Sequence, residues 1–223
     1  GLPRECFTKD LSDVVRAPVM QAARTLEERG ATLVDVDLPQ LRYAVATYYI
    51  ICTAEASANL ARFDGVRYGF RDPEAKNVQD MYVLSKSRGF GSEVQRRIVL
   101  GTYVLSSGYY DAYYLKAQRV RRLIRDDYAR ALESCDAILM PVTPSPAYRL
   151  GEMLDDPLQM YLADIYTIGV NLAGLPAISV PCGKTSSGLP IGMQLVGRAF
   201  DEATVLRAAH AYESHAGIAL GRP

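Results

Sequence analysis

The sequence predicts an α/β fold, because stretches with helical periodicity alternate along the chain with short apolar runs typical of strands. Gly1-Leu2-Pro3 resembles the tail of a strand, a helical pattern follows, and residues 32–38 then alternate between apolar and polar side chains. A strand, a helix and a strand in this order favour a right-handed crossover between parallel strands. The chain has 223 residues, 49% of them hydrophobic, which is enough to bury a sizeable core and to form one domain.

Two helices and a loop are predicted in the first third of the chain. Between residues 12 and 29 apolar side chains recur at helical spacing, and Gly30 is placed to end that helix. After Pro39 a long and mostly apolar helix extends to about residue 63. Residues 65–77 have the Gly, Pro and Asn content of a loop, after which helical patterns resume.

The rest of the chain is predicted to add further helices and several short strands. Helical patterns cover residues 92–105 and about 109–134, and they meet at a tyrosine-rich turn. Residues 137–142 form a short apolar run that stops at prolines, which is typical of a buried strand that delivers a loop to a site. The remaining predicted elements are a short helix at 155–163, strands at 177–180 and 191–196, and a helix at 201–215.

The composition excludes several classes of function. Basic and acidic residues are equal in number, 25 of each, which argues against a surface that binds nucleic acid by charge alone. No apolar run approaches the roughly 18 residues of a membrane span, and the N-terminus carries no signal region. The four cysteines lie far apart without a CxxC pair, which favours reduced cytosolic thiols over a disulfide framework or a zinc site. These features predict a cytoplasmic location.

Two neighbouring arginines mark a candidate binding position in the helix at 92–105. Arg96 and Arg97 point in different directions, because successive helical residues are rotated by about 100°. One is able to face solvent while the other turns toward a cleft, where its planar guanidinium suits a carboxylate. The alternative is that both are surface charges of an amphipathic helix. The basic run from Lys116 to Arg125 likewise suits either RNA phosphates or, given its acidic neighbours, a solvated face.

Motifs for several other kinds of chemistry are missing from the sequence. Neither a G-x-S-x-G elbow nor a phosphate-binding glycine loop occurs. His210 and His215 are five residues apart, so they do not share a helix face as two zinc ligands would. No metal site is predicted.

Four runs of the sequence resemble the amidase signature family. They are EASANLARFDGVRYG (55–69), GFGSEVQRRIVLGTYVLSSGYYDAYYLKAQ (89–118), DDPLQMYLADIYTIGVNLAGLPAISVPCG (155–183) and LPIGMQLVGRAFDEATVLRAAHAYE (189–213). The last two are shared broadly within the family, whereas the first two resemble its branch that supplies ammonia for tRNA-dependent amidation. The resemblance covers nearly the whole chain and corresponds to the later half of a family member. It implies that residues 1–223 are the C-terminal part of a single amidase signature domain, with a mixed β-sheet flanked by helices.

The resemblance places the family's catalytic residues outside this sequence. Amidase signature enzymes hydrolyse amides with a Ser, cis-Ser and Lys arrangement in a Gly/Ser-rich segment of the earlier half. No such segment occurs here, and Ser106-Ser107-Gly108 and Ser186-Ser187-Gly188 are interpreted as turns because neither has a partner lysine at the family's spacing. No catalytic residue is therefore assigned to this chain, which is expected to be inactive without the missing N-terminal half.

The resemblance also implies three substrate-binding residues. Free glutamine offers an α-carboxylate, an α-ammonium and a side-chain amide, so a selective site needs a cation, an anion and a group that fixes the amide. By position in the matching motifs, Arg97 would pair with the α-carboxylate and Asp164 with the α-ammonium, and the Tyr48 hydroxyl would help to position the substrate. Tyr49 and Arg96 are the alternatives if the register differs by one residue.

The resemblance finally implies partners and cofactors. The whole protein would hydrolyse glutamine, and its ammonia would travel to a partner B subunit that activates misacylated Glu-tRNA(Gln) with ATP and Mg and converts it to Gln-tRNA(Gln). The expected partners are glutamine, the B and C subunits and, mainly through the B subunit, tRNA; no cofactor and no membrane contact is expected for this chain. Two alternatives remain open, namely another amide hydrolase of the same family and a docking or scaffold piece for partner subunits.

Overall fold

A computed structural model describes residues 1–152 and 162–217 of the chain. The chain divides into two compact units, the first formed by Gly1–Val45 together with Val120–Pro223 and the second by Ala46–Arg119. The prediction that the whole chain belongs to a single domain stays a prediction.

The helices and strands follow the predicted order along most of the chain. The helices are α1 (Asp13–Glu28), α2 (Ala44–Leu60), α3 (Val78–Gly89), α4 (Ser92–Val104), α5 (Lys116–Ser134), α6 (Ile165–Ala173) and α7 (Glu202–Ala216). The strands are β1 (Leu2–Pro3), β2 (Asp35–Val36), β3 (Ile138–Pro141), β4 (Ala177–Lys184) and β5 (Pro190–Val196). A π-helical turn at Tyr110–Leu115 leads into α5, and 3-10 turns occupy Arg4–Cys6 and Leu41–Tyr43. Most of the short helix predicted at 155–163 lies outside the described residues.

The first unit contains a mixed β-sheet. β1 and β2 run parallel, with Leu2 paired to Asp35, whereas β3, β5 and β4 form antiparallel neighbours in that order. Gly1 joins the two sets, because its amino group donates to the carbonyl of Ala137 at 2.8 Å and its carbonyl accepts from the amide of Leu139 at 2.9 Å. The strands therefore lie in the order β2–β1–β3–β5–β4. This arrangement confirms the predicted α/β fold with a mixed sheet flanked by helices.

One predicted strand is much shorter than expected. The alternating pattern at residues 32–38 predicts a strand of about seven residues, but β2 spans only Asp35–Val36. In the part of the chain that the structure describes, β2 has one sheet neighbour, β1, which pairs with it over two residues. The pattern of alternating side chains is thus present, but the partner backbone limits the length of the strand.

Helices α1 and α7 pack against the sheet through small and apolar side chains. In α1 these recur every three to four residues, as an amphipathic helix requires. The buried residues of α1 are Val15, Val19, Ala22 and Ala23, and those of α7 are Val205, Ala209 and Tyr212. α1 approaches β4 closely at Gly183, where an added Cβ atom would lie 2.7 Å from Cβ of Pro18. A larger residue at Gly183 would therefore separate the helix from the sheet.

Helix α6 is a correction to the sequence analysis, which predicts no helix at residues 165–173. Six of its nine residues are buried, and its polar side is limited to Thr167 and Asn171, so its apolar residues form a nearly continuous run rather than a clear helical pattern. The overlooked signal is Gly174, which ends the helix in a left-handed conformation with φ of 71°. The amides of Gly174 and Leu175 both donate to the carbonyl of Val170, at 3.0 and 3.3 Å. Asp164 occupies the N-cap position of this helix.

The second unit is helical, and its helices α2 and α4 touch backbone to backbone. An added Cβ atom on Gly101 of α4 would lie 1.9 Å from the carbonyl oxygen of Thr53 on α2. Close by, the hydroxyls of Ser57 and Thr102 lie 3.0 Å apart and hydrogen-bond across the two helices. The absence of a side chain at position 101 is therefore what allows the two helices to approach so closely.

The loop before α3 is anchored by a buried carboxylate. Asp72 is buried, and its two oxygens accept from the amide of Glu74 at 2.9 Å and from the guanidinium of Arg88 at 2.9 Å. Ser85 of α3 adds a hydrogen bond to the amide of Asp72 at 3.1 Å. The predicted loop at 65–77 is thus present and is tied to α3 by these contacts.

Candidate functional site

Helices α2 and α4 bring two of the predicted binding residues together. Tyr48 lies on α2 and Arg97 on α4, and the Nη1 of Arg97 donates to the hydroxyl oxygen of Tyr48 at 3.4 Å. Arg97 lies about one turn before Gly101, and Tyr48 lies five residues before Thr53. The close approach of the two helices at Gly101 therefore explains how residues 49 positions apart come within hydrogen-bond distance.

A glutamate on α4 holds both neighbouring arginines. The Oε1 of Glu93 accepts from Nε of Arg97 at 3.0 Å, and its Oε2 accepts from Nη1 of Arg96 at 3.0 Å. The arginine side chains differ in exposure, at 31% for Arg97 and 61% for Arg96. The pair thus diverges as helical geometry requires, with Arg97 turned toward α2 and Tyr48.

The protonation states of the pair suit recognition of an anion. The hydrogen bond to Glu93 raises the pKa of Arg97 above its usual value, so the guanidinium remains charged. Burial raises the pKa of Tyr48, the contact with the Cys52 thiol adds to this effect, and the Arg97 guanidinium opposes it. The net shift is upward, so the Tyr48 hydroxyl stays protonated and able to donate a hydrogen bond.

The contacts of Arg97 leave part of its guanidinium for a ligand. Within residues 1–152 and 162–217, its Nε donates to Glu93 and its Nη1 to Tyr48, whereas its Nη2 makes no hydrogen bond. A guanidinium has five N–H donors in one plane, and two of them are fixed here. The other three N–H groups are able to donate hydrogen bonds to a carboxylate that lies in the same plane.

Asp164 lies in the first unit and is exposed at the start of α6. Its backbone carbonyl accepts from the amides of Thr167 and Ile168, at 3.1 and 3.0 Å, but its carboxylate forms no capping hydrogen bond. A carboxylate at this end of a helix is stabilised by the helix dipole and is available to an ammonium group. Because Asp164 belongs to the other unit, its convergence with Arg97 stays a prediction.

A cavity of about 650 Å³ opens in the first unit beside the start of α6. Its lining includes Leu162, Ile165 and Tyr166, which flank Asp164 in the sequence, and the charged residues Glu5 and Arg42. Apolar walls with a few charged groups are typical of pockets for small organic molecules. The first unit thus offers space for a ligand next to the segment that carries Asp164.

Two further groups of this site were not identified from the sequence. Glu93 is not singled out there, although its spacing of four residues before Arg97 is a known signal for an ion pair. Cys52 is considered there only as one of four separate reduced cysteines, but its thiol contacts the Tyr48 hydroxyl. Cys52 and Tyr48 lie one helical turn apart on α2. A sequence pattern does not indicate which of the several neighbouring side chains contacts the Tyr48 hydroxyl.

Two negative findings concern the described residues alone. No helix within them combines the length and apolar character needed to cross a membrane. In the same part of the chain, no three His, Cys, Asp or Glu side chains are grouped in a way that would hold a metal ion.

Comparison with known proteins finds a matching family model and two similar relatives that share one name. The family model described as Amidase matches residues 1–206. The chain is 59% identical over 213 residues to the A subunit of glutamyl-tRNA(Gln) amidotransferase from Myxococcus xanthus, covering 96% of this chain and 44% of that protein. It is 57% identical over 223 residues to the protein of the same name from Brevibacillus brevis, covering 100% of this chain and 46% of that protein. The chain therefore spans less than half the length of these relatives.

Solved structures agree with the fold. The crystal structure of the corresponding A subunit from Thermotoga maritima superimposes with a TM-score of 0.72 at 42% identity, covering 96% of this chain and 41% of that chain. A bacterial aryl acylamidase of the amidase signature family superimposes with a TM-score of 0.70 at 20% identity, covering 97% of this chain and 42% of that chain. The second likeness concerns the fold alone.

Proposed function

Since the chain belongs to the amidase family, we propose that it forms the glutamine-recognising part of a protein that releases ammonia for tRNA-dependent amidation. The relatives above 50% identity that are named as the A subunit of glutamyl-tRNA(Gln) amidotransferase support this choice within the family. In this proposal the complete protein hydrolyses glutamine, and the ammonia converts Glu-tRNA(Gln) to Gln-tRNA(Gln) at a partner subunit.

The observation that carries the proposal is the Arg97–Tyr48 pair. Arg97 is a charged guanidinium with donors left for a ligand, and the protonated hydroxyl of Tyr48 lies 3.4 Å from its Nη1. Such a pair suits the α-carboxylate of glutamine, and Asp164 would bind the α-ammonium. An amide that lacks this head group would leave one of these charges unpaired, so the site would reject it.

The covalent chemistry belongs, in this proposal, to residues outside the 223 of this sequence. The chain has no Gly/Ser-rich segment and spans 44% and 46% of the relatives' lengths. A serine activated by the family's Ser, cis-Ser and Lys arrangement would attack the side-chain amide carbon of glutamine. Ammonia would leave, and water would then release glutamate from the acylated serine. The chain alone is expected to release no ammonia from glutamine.

The partners and cofactors are proposals of the same kind. The B and C subunits would assemble with the complete protein in the cytoplasm, and ATP and Mg would act at the B subunit. The equal numbers of acidic and basic residues in this chain agree with tRNA being bound mainly by the B subunit. Glutamine is then the small molecule that this chain itself binds.

A substitution at Arg97 tests the proposed function in the full-length protein with its partner subunits. Arg97→Ala should lower kcat/KM for glutamine by about 10- to 100-fold, the effect of losing one charged hydrogen-bonding partner. Amidation with ammonia supplied directly bypasses glutamine and should keep its normal rate. Arg96→Ala is the matched control and should change neither reaction, because Arg96 is the more exposed of the two. Unchanged glutamine kinetics in Arg97→Ala, or an equal loss of both reactions, would overturn the proposal.

A further inference from the structure

We infer that Glu93 is a positioning residue for substrate recognition: it fixes the plane of the Arg97 guanidinium so that the remaining donors meet a carboxylate. This inference rests on the proposed function and adds to it a residue that the resemblance does not assign. Glu93 itself touches no substrate in this scheme and acts through Arg97.

The first argument is the geometry of the hydrogen bonds. Glu93 accepts from Nε of Arg97 at 3.0 Å, and Tyr48 accepts from Nη1 at 3.4 Å. Two contacts on different nitrogens of one rigid, planar group define the orientation of its plane. The bond to Glu93 is the shorter and joins two charged groups, so it contributes more to that orientation. With Tyr48 alone, the guanidinium would be free to rotate about the remaining contact.

The second argument is that packing alone does not hold this side chain. Arg97 is 31% exposed and its long side chain has several rotatable bonds, so it adopts many conformations unless a partner selects one. Glu93 precedes Arg97 by one turn, which is the favourable order for an acid and a base on a helix. Glu93 also lies in the first turn of α4, where the helix dipole stabilises a carboxylate. Its own position is therefore well defined.

The third argument is the way in which Glu93 divides its oxygens between two arginines. Its Oε2 accepts from Nη1 of Arg96 at 3.0 Å while its Oε1 accepts from Arg97. Because the two arginines use different oxygens, the contact with Arg96 leaves Oε1 available to Nε of Arg97. Arg96 is 61% exposed, and solvent screens much of this second pair. We therefore expect loss of the Arg96 side chain to have little effect on glutamine recognition, and loss of the Glu93 side chain to weaken it.

The chemistry of the carboxylate separates an orienting role from a charge role. Glu93→Gln keeps a side-chain oxygen of the same reach that accepts from Nε, but removes the negative charge. Glu93→Ala removes both, and Glu93→Asp keeps the charge but shortens the side chain by one methylene. If orientation is the function of Glu93, the variants should rank wild type, Gln, Asp and Ala in order of increasing KM for glutamine. A pure charge effect would instead lower KM in Glu93→Gln and Glu93→Ala, because a neighbouring anion opposes binding of a carboxylate.

The test uses the full-length protein in complex with its partner subunits. We expect Glu93→Ala to raise KM for glutamine about tenfold, with ammonia-dependent amidation unchanged and only a small decrease in the thermal unfolding midpoint. Glu93→Gln should restore KM to within about threefold of the wild type. In an Arg97→Ala background, Glu93→Ala should have no further effect on glutamine kinetics. An unchanged KM in Glu93→Ala, or an equally large additional loss in the Arg97→Ala background, would overturn the inference.

The outcomes for the inference and for the proposed function are distinguishable. A normal KM in Glu93→Ala together with a raised KM in Arg97→Ala would contradict only the role of Glu93. Normal glutamine kinetics in Arg97→Ala would contradict the proposed function itself. A loss of ammonia-dependent amidation in Glu93→Ala that Glu93→Gln does not restore would identify Glu93 as a structural residue of α4 and would also overturn the inference.

Discussion

The pKa values and orientations of individual side chains depend on neighbours that lie close in space but often far apart in sequence. The hydroxyl of Tyr48 contacts a thiol one turn away on its own helix and a guanidinium 49 residues further along the chain. A sequence pattern indicates that Tyr48 lies on a helix, but it does not indicate these contacts. The relation of Glu93 to Arg97, by contrast, follows from a spacing of four residues and was open to prediction.

Burial of the Cys182 thiol leads to a prediction about stability at alkaline pH. Burial raises the pKa of Cys182 from 9.0 to about 12. Below pH 9 the thiol is protonated in both the folded and the unfolded chain. Between these two values the unfolded chain loses the proton that the folded chain retains, so the free energy of unfolding falls as pH rises.

Cys182→Ala should therefore reduce this dependence on pH. The expected difference in slope is at most one proton, or about 1.4 kcal/mol per pH unit. Urea unfolding of wild type and variant between about pH 8 and 10.5 measures it, and the difference at the lower pH gives the separate cost of lost packing. Parallel curves for the two proteins across this range would show that the thiol does not contribute.

Helices show most clearly where periodicity is informative and where it is not. α1 is amphipathic, and its buried positions were predictable from the spacing of its apolar residues. α6 is mostly buried, and its polar side is limited to Thr167 and Asn171, so its sequence gives only a weak periodic pattern. The end of α6 at Gly174 carries a local conformational signal, which makes a helix boundary detectable even where periodicity fails.

The contact between α2 and α4 predicts a strong effect of one added methyl group. In Gly101→Ala the new Cβ would lie 1.9 Å from the carbonyl oxygen of Thr53, so the helices must separate. The free energy of unfolding should fall by about 1–3 kcal/mol, which is typical of overpacking. Separation should also weaken the Arg97–Tyr48 contact, and KM for glutamine should rise in the complete protein.

Denaturant unfolding and glutamine kinetics together check this expectation. Leu100→Ala is a suitable control, because Leu100 is an exposed neighbour on the same helix and alanine favours helix formation. It should change stability by less than about 0.5 kcal/mol. A Gly101→Ala protein as stable as the wild type would mean that α2 and α4 do not approach as closely as described.

At the scale of the whole molecule, the sequence predicts the fold class better than the arrangement of the site. The order of strands and helices and the four resembling runs lead to an α/β amidase fold, which the mixed sheet and the superposition on solved structures confirm. The relative position of Arg97 and Asp164 depends on tertiary contacts between distant segments of the chain, and no local pattern encodes it. Their joint action on one ligand therefore needs a chemical test.

Glutamine analogues provide that test in the complete protein with its partner subunits. The carboxylate and ammonium of glutamine are bonded to the same carbon, so one ligand engages Arg97 and Asp164 only if both side chains reach it. Glutaramate lacks the ammonium, and 4-aminobutanamide lacks the carboxylate. Arg97→Ala should impair hydrolysis of glutamine and glutaramate but leave the slow hydrolysis of 4-aminobutanamide unchanged.

Asp164→Ala should show the opposite selectivity, impairing glutamine and 4-aminobutanamide while sparing glutaramate. For each affected substrate we expect kcat/KM to fall about 10- to 100-fold, because one charged hydrogen bond is lost with each residue. An analogue that already lacks the matching charge has nothing further to lose, and this is what separates recognition from a general loss of structure. Equal losses for all three substrates would make the two residues structural, and exchanged selectivities would contradict direct charge pairing of either residue with the head group.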